Sequence, residues 1–251
     1  MRKKFVAGNW KMFTTAESAP QLAGGVLKDL PQDDKVRVAV FPPFPYLLEV
    51  SKVVRGTRIG LGGQNLYPAK EGAFTGEVSP AMLLNTGCQL VLIGHSERRH
   101  KLGESDGFLN QKVHAALDAG LEVVFCVGET LDERQANQTE QRLDTQLTQG
   151  LAGVKPEHVS KLTVAYEPVW AIGTGHNATP EQAQAAHVFI RKRFGELLGE
   201  QAAAGLIIQY GGSVTPQNAA TLMGQPDVDG ALVGGASLDA GKFLDIIRAG
   251  S

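Results

Sequence analysis

The sequence has few cysteines, little excess charge of either sign and no long apolar run, and each shortage excludes a class of protein. Cys88 and Cys126 match neither a CxxC motif nor a zinc-ligand spacing, so we expect no disulfide framework and no metal. The net charge is −2, which gives the whole chain no electrostatic reason to bind nucleic acid or an anionic membrane. No apolar run reaches the roughly 18 residues of a membrane-spanning helix. We therefore expect a soluble, cytoplasmic protein.

Glycine, in contrast, is abundant. The chain holds 30 glycines in 251 residues, whereas a typical protein of this length holds roughly 18. No Gly-X-Y period accompanies them, which excludes collagen. The hydrophobic fraction of 43% and the charged fraction of 20% are ordinary for a globular protein and argue against disorder. The glycines must therefore serve particular places in a well-packed fold.

Eight short β-type runs alternate with helical stretches along the chain. Several runs, such as 91–93, 123–125 and 206–208, are apolar on consecutive residues, which is typical of parallel strands buried on both faces. The predicted strands are Phe5–Gly8, Val36–Phe41, Arg58–Gly62, Gln89–Gly94, Glu122–Val127, Leu162–Tyr166, Leu206–Tyr210 and Val228–Val233. Helix periodicity or cap-plus-proline starts predict helices at Asp106–Ala119 and Ser237–Ala249, and after Ser79, Thr179 and Thr215.

No linker or break in composition divides this alternation, so a single domain covering residues 1–251 is favoured. Eight β-α units fit a closed (β/α)8 barrel of α/β class better than an open doubly wound sheet. No GxGxxG motif follows the first predicted strand, which also argues against a dinucleotide-binding fold.

The predicted strands end in polar and glycine-rich segments. In a parallel barrel these carboxyl ends meet at one mouth, where active sites form. Any one of the side chains has an ordinary structural explanation, but their coincidence predicts a base, a cation, a histidine and phosphate-binding turns in one site. Backbone N–H groups in glycine-rich turns, and at the start of a short helix after Gly235, can bind phosphate. The candidates are Asn9, Lys11, His95, Glu97, Glu167, Gly173, Ser213, Gly234 and Gly235.

Five motifs, in order along essentially the whole chain, resemble the triosephosphate isomerase family. They are Asn9–Met12, Gly94–Arg99, Ala165–Gly175, Tyr210–Val214 and Val233–Ala236. The resemblance implies interconversion of dihydroxyacetone phosphate and D-glyceraldehyde 3-phosphate through an enediolate, in glycolysis and gluconeogenesis. It implies no cofactor and a homodimer, in which Thr75 of the long irregular segment 64–78 reaches the neighbouring subunit's site.

The resemblance also implies the roles of the site residues. Glu167 is the base and His95 a neutral electrophile at a helix start. Lys11 supplies positive charge, Asn9 donates a further hydrogen bond, and Glu97 holds the Lys11 ammonium. A lid closes over the phosphate through the Gly173 N–H; it consists of Pro168, Val169, Trp170, Ala171, Ile172, Gly173, Thr174, Gly175 and His176.

Two departures from the family pattern concern the edges of this site. The far hinge of the lid reads His176-Asn177-Ala178 instead of Lys-Thr-Ala, and Phe13 replaces a residue that is usually polar. Two other functions stay open at this point: another barrel isomerase of a sugar phosphate, and a barrel that binds phosphate without catalysis. A Schiff-base aldolase does not fit, because the central strands offer Cys126 and Glu167 where it needs a lysine.

Overall fold

The computed structural model describes residues 2–172 and 178–251, and within them eight parallel strands close into a barrel. Each strand pairs with the next in chain order, and the last pairs with the first. The strands are β1 (Lys4–Asn9), β2 (Val36–Phe41), β3 (Ile59–Gly63), β4 (Leu90–Ile93), β5 (Glu122–Val127), β6 (Leu162–Tyr166), β7 (Ile207–Tyr210) and β8 (Gly230–Val233). The predicted closed (β/α)8 barrel is confirmed, and no predicted strand end is off by more than two residues.

The strands are apolar on consecutive residues because they are covered on both faces. One set of side chains, including Phe5 and Leu232, fills the barrel interior. The alternate set, including Val6 and Val233, packs outward against the helices in a much larger cluster. Two cores therefore hold the strand ends in place, and both depend on the period-2 alternation of strand side chains.

Helices surround the barrel on the outside. They are α1 (Ser18–Lys28), α2 (Leu47–Val54), α3 (Pro80–Asn85), α4 (Ser96–His100), α5 (Asp106–Ala119), α6 (Leu131–Gln135), α7 (Thr139–Gly150), α8 (Pro180–Leu198), α9 (Glu200–Gly205), α10 (Pro216–Met223) and α11 (Ala240–Ala249). Short 3-10 helices lie at Phe44–Tyr46, Pro156–Lys161, Val169–Ala171 and Gly235–Leu238. None of the helices in the described part of the chain is long and apolar enough to cross a membrane.

The cap signals located several helix ends correctly. α5 has the predicted bounds, and Gly120 ends it in the left-handed conformation at φ 97°. Thr179 begins α8 with a capping box. The prediction of one helix over Ser237–Ala249 is wrong. Asp239 is extended and its carboxylate accepts the Lys242 N–H at 2.9 Å, so the segment divides into a 3-10 helix and α11.

The segment 64–78 leaves the barrel after β3 and folds on itself. The Tyr67 N–H donates to the Val78 carbonyl at 2.8 Å, and the Tyr67 and Phe74 rings lie 4.3 Å apart. Thr75 is exposed at its tip. Apolar side chains are also exposed after β1 and in α3, notably Met12 (94%), Phe13 (55%) and Met82 (53%).

Candidate active site

A cavity of about 270 Å³ opens at the carboxyl ends of the strands. It contains eight of the predicted site residues, Ile172 of the expected lid among them, and they come from the ends of five different strands. Its lining is Asn9, Lys11, His95, Glu167, Ile172, Gly211, Gly212, Ser213, Val214, Thr215, Leu232, Gly234, Gly235 and Ala236. The polar side chains predicted for the wall therefore lie there, and the apolar part is formed by Ile172, predicted as part of the lid, and by Leu232, which was not predicted.

Glu167 directly follows β6 and is 2% exposed. Its backbone N–H donates to the Val127 carbonyl at 2.7 Å, so its main chain is held by the end of β5. One carboxylate oxygen lies 3.0 Å from His95 Nε2, and the other accepts the Ser96 N–H at 2.8 Å. A buried carboxylate needs such donors, because burying an unpaired polar group costs free energy.

His95 caps the N-terminus of α4. Its Nδ1 accepts the Glu97 N–H at 3.2 Å, which places the ring proton of a neutral imidazole on Nε2, facing Glu167. Burial lowers the pKa of His95, but the charge and hydrogen bond of Glu167 outweigh burial and raise this pKa overall. The hydrogen bond at Nδ1 thus fits the neutral electrophile expected from the sequence, whereas the carboxylate at Nε2 favours protonation of the ring.

Lys11 is held at several points of its backbone and side chain. Its φ is 52°, unusual for a residue with a side chain. The Asn9 side-chain oxygen accepts the Lys11 N–H at 3.0 Å, and Gln64 donates to the Lys11 carbonyl at 2.8 Å. The ammonium lies 2.9 Å from Glu97 Oε1. Burial raises the pKa of Glu97, but the hydrogen bond from Lys11 and the nearby positive charges outweigh it and hold that pKa below its usual value.

The opposite wall consists of the turns after β7 and β8. A short helix was predicted just after Gly235; the 3-10 helix after β8 begins at Gly235, and its first two residues, Gly235 and Ala236, line the cavity. A Cβ on Gly234 would lie 3.3 Å from Lys11 Cε, so this turn approaches the ammonium closely. Ser213 lines the cavity, and its N–H, predicted as a phosphate donor, donates here to the Ala171 carbonyl at 3.2 Å.

The first part of the expected lid, Pro168–Ile172, packs on an anchor formed by Glu129. The Val169 N–H donates to the Glu129 carbonyl at 3.0 Å, and the Trp170 indole donates to its carboxylate at 2.9 Å. Tyr166 donates to the same carboxylate at 3.0 Å, beneath the lid. The remaining predicted lid residues and the first two of the unusual hinge lie outside the described residues: Gly173, Thr174, Gly175, His176 and Asn177.

Apart from the first residues of the expected lid, Pro168–Ala171, two of the predicted residues in the described part of the chain lie away from the cavity wall. Glu97 is behind Lys11, where it pairs with the ammonium. Thr75 is exposed on segment 64–78 and does not line the cavity of its own chain. Three contributors were missed: the Ser96 N–H, Gln64 and Glu129. Each is polar and lies beside a strand end, but nothing in the sequence distinguishes it from neighbouring polar residues.

The fold and site define a barrel enzyme that performs acid–base chemistry on a small anionic substrate. The Triosephosphate isomerase family model matches residues 4–250. Similar proteins named triosephosphate isomerase come from Carboxydothermus hydrogenoformans and Chloroflexus aurantiacus, each 51% identical over 99% of both chains, and from Rhodopirellula baltica at 48% identity over 99% of this chain and 98% of the relative. The chain belongs to the triosephosphate isomerase family and is an isomerase. The other functions left open by the sequence are not favoured.

Proposed function

We propose that Glu167 is the base in the reaction of this family, with His95, Lys11 and Asn9 stabilising the charge that develops. The chain interconverts dihydroxyacetone phosphate and D-glyceraldehyde 3-phosphate, a step of glycolysis. A carbon-bound proton moves between adjacent carbons through an enediolate, so the reaction needs a carboxylate or similar base beside an electrophile. The contact of the buried Glu167 carboxylate with His95 Nε2 in the cavity wall is the observation that carries this assignment.

The three groups around the base have complementary tasks. A substrate oxygen that replaces the Glu167 carboxylate at His95 Nε2 accepts a hydrogen bond there, and the carboxylate turns toward the substrate carbon. The Lys11 ammonium, restrained by Glu97, adds fixed positive charge, and Asn9 adds a donor. A positioned base typically contributes ~10²–10⁴-fold, so preorganised electrostatics must supply much of the remaining acceleration.

The phosphate group belongs, in this proposal, at Ser213, Gly234 and Gly235, with the Gly173 N–H added by the lid. The cavity position of the first three supports this, as does the helix that begins at Gly235. Closure of the lid, Pro168–His176, excludes water and retains the enediolate, which would otherwise eliminate the neighbouring phosphate. Phosphate binding, remote from the reacting carbons, offsets the cost of closing.

The proposal further includes one catalytic domain over residues 1–251, a cytoplasmic location and a homodimer. The two cysteines are free and buried, in keeping with a reducing compartment. The exposed apolar side chains of Met12, Phe13 and Met82 and the exposed Thr75 support the homodimer, since a second copy would cover them. Sedimentation tests the dimer, and a fully active monomer would exclude it.

The decisive test of the base is Glu167→Gln in a coupled assay with glyceraldehyde 3-phosphate. We expect kcat to fall by at least ~10²-fold, because the amide cannot accept the proton. Glu49→Gln, a half-exposed carboxylate on α2 that does not line the cavity, is the matched control and should keep full turnover. Near-full turnover in Glu167→Gln, with an unchanged melting temperature, would exclude Glu167 as the base.

A further inference from the structure

Backbone hydrogen bonds between the chain after β5 and the chain after β6 continue past the ends of both strands, and they hold the backbone of Glu167, the proposed base. Val127 pairs with Tyr166 as the last pair in register. Beyond it the Val127 carbonyl accepts the Glu167 N–H at 2.7 Å, and the Glu129 carbonyl accepts the Val169 N–H at 3.0 Å. We call the segment 127–129 the template, because its carbonyl groups fix the position of the backbone of Glu167.

Gly128, in the middle of this template, touches the backbone of Glu167. A Cβ on Gly128 would lie 1.8 Å from the Glu167 carbonyl oxygen and 2.6 Å from its carbonyl carbon. This approach leaves no room for a side chain. Any displacement of Gly128 toward β6 must therefore move the main chain of Glu167.

The polar groups of Gly128 point away from β6, because backbone groups alternate in direction along an extended chain. On that side β5 pairs with β4, but the pairing ends at Ile93 and Phe125, before Gly128 is reached. A side chain therefore forms the hydrogen bonds at Gly128 in place of a neighbouring strand. The Gly128 N–H donates to Gln146 Oε1 at 2.7 Å, and Gln146 Nε2 donates to the Gly128 carbonyl at 3.1 Å. Gln146 projects from α7 and is 2% exposed.

We infer that Gln146 is a positioning residue for Glu167. Its carboxamide binds both backbone groups of Gly128 and so sets the distance between the template and the helix layer. It is not among the residues that line the cavity, so it would act through Gly128 and the backbone of Glu167. The inference rests on the proposed role of Glu167 as the base, through which Gln146 would act.

The test uses Gln146→Met, which keeps the length of the side chain and removes both hydrogen bonds. We expect kcat to fall about 10- to 100-fold, since a misplacement near 1 Å costs on the order of 10² in rate. KM for the triose phosphate should change less than about threefold, because the phosphate turns are untouched. Substrate deuterated at the carbon that loses its proton should show a larger isotope effect on kcat than in wild type, since proton abstraction becomes the slower step.

Asn110→Ala is the matched control. Asn110 Nδ2 donates to the carbonyls of Gly150 and Ala152, so this variant loosens the C-terminal end of the same helix, about one turn beyond Gln146, and leaves both hydrogen bonds at Gly128 in place. It should lower the melting temperature and leave the isotope effect unchanged. Loss of folded protein alone reduces the measured rate but does not change an isotope effect.

Gln146→Glu gives a rescue experiment. When protonated, the new carboxyl can accept the Gly128 N–H and donate to its carbonyl; when ionised, it repels that carbonyl, and burial favours the protonated form. The kcat of this variant, relative to wild type, should recover as pH falls. The inference is overturned if Gln146→Met keeps the wild-type kcat and isotope effect, or if kcat falls with an unchanged isotope effect. If Glu167→Gln itself stays active, the base assignment fails instead.

Discussion

His187 on α8 is a buried imidazole that is kept neutral, and this makes the stability of the protein sensitive to acid. Its ring is fully buried, packs edge-to-face on Tyr166 at 5.8 Å, and Nδ1 lies 3.1 Å from the Asp227 carbonyl. Burial lowers the pKa of His187 to about 4, with a further lowering from Arg191 and opposing contributions from the Asp227 carbonyl and the Asp229 charge.

The sign of the effect follows from comparing the two states. In the unfolded chain the imidazole pKa is about 6.5, so above that pH neither state binds a proton and His187 has no effect on stability. Between about 6.5 and 4 the unfolded state binds the proton and the folded state does not. Each pH unit in that window then lowers the free energy of unfolding by about 1.4 kcal/mol, to a total on the order of 3 kcal/mol.

Urea unfolding of wild type and His187→Gln, at about pH 7.5 and about pH 5, measures the contribution of His187 to the free energy of unfolding. The glutamine can still donate to the Asp227 carbonyl but does not titrate. Wild type should lose about 2 kcal/mol more than the variant between the two pH values, from about 1.5 pH units at 1.4 kcal/mol each. Protomer concentration must be held constant, because association shifts apparent stability. Equal losses in both proteins would refute the argument.

Two further substitutions test the site directly. Glu97→Gln should lower kcat/KM by less than about tenfold, because its ion pair with Lys11 is partly exposed and such pairs contribute little; a loss as large as that of Glu167→Gln would contradict this. Gly128→Ala should lower kcat by at least ~10²-fold, since its Cβ collides with the Glu167 carbonyl. Wild-type turnover in the alanine variant would show that the close approach is easily relaxed.

The fold was predictable because its signals are local and repeated. Strands buried on both faces are apolar on consecutive residues, and caps such as Thr179 and Gly120 mark helix ends by their own backbone chemistry. The error at Ser237–Ala249 has the same origin. Apolar periodicity runs across Asp239, yet one carboxylate that caps the next helix interrupts it. Periodicity describes a buried face and does not record where a side chain replaces a backbone hydrogen bond.

The wall of the site was predictable for a different reason: parallel closure brings all the strand carboxyl ends to one mouth. Glu167 meets His95 and Ser96 there, although Ser96 and Glu167 are 71 positions apart in the chain. No comparable rule predicts the contacts that support these residues. Gln64 at the Lys11 carbonyl and Gln146 at Gly128 depend on how single side chains reach across elements, and their residue type and neighbours do not distinguish them in the sequence.

The net charge of −2 is compatible with an anion site because the acidic side chains in and behind the cavity wall are individually compensated. Glu97 pairs with Lys11 at 2.9 Å, and Glu129 with Arg134 at 3.2 Å, while Glu167 accepts the Ser96 N–H. Since the Lys11 charge is largely balanced by Glu97, attraction of a phosphate must depend mainly on backbone dipoles at the turns after β7 and β8. Those dipoles need close approach without side chains, which the four glycines of the cavity wall, Gly211, Gly212, Gly234 and Gly235, allow at the proposed phosphate site.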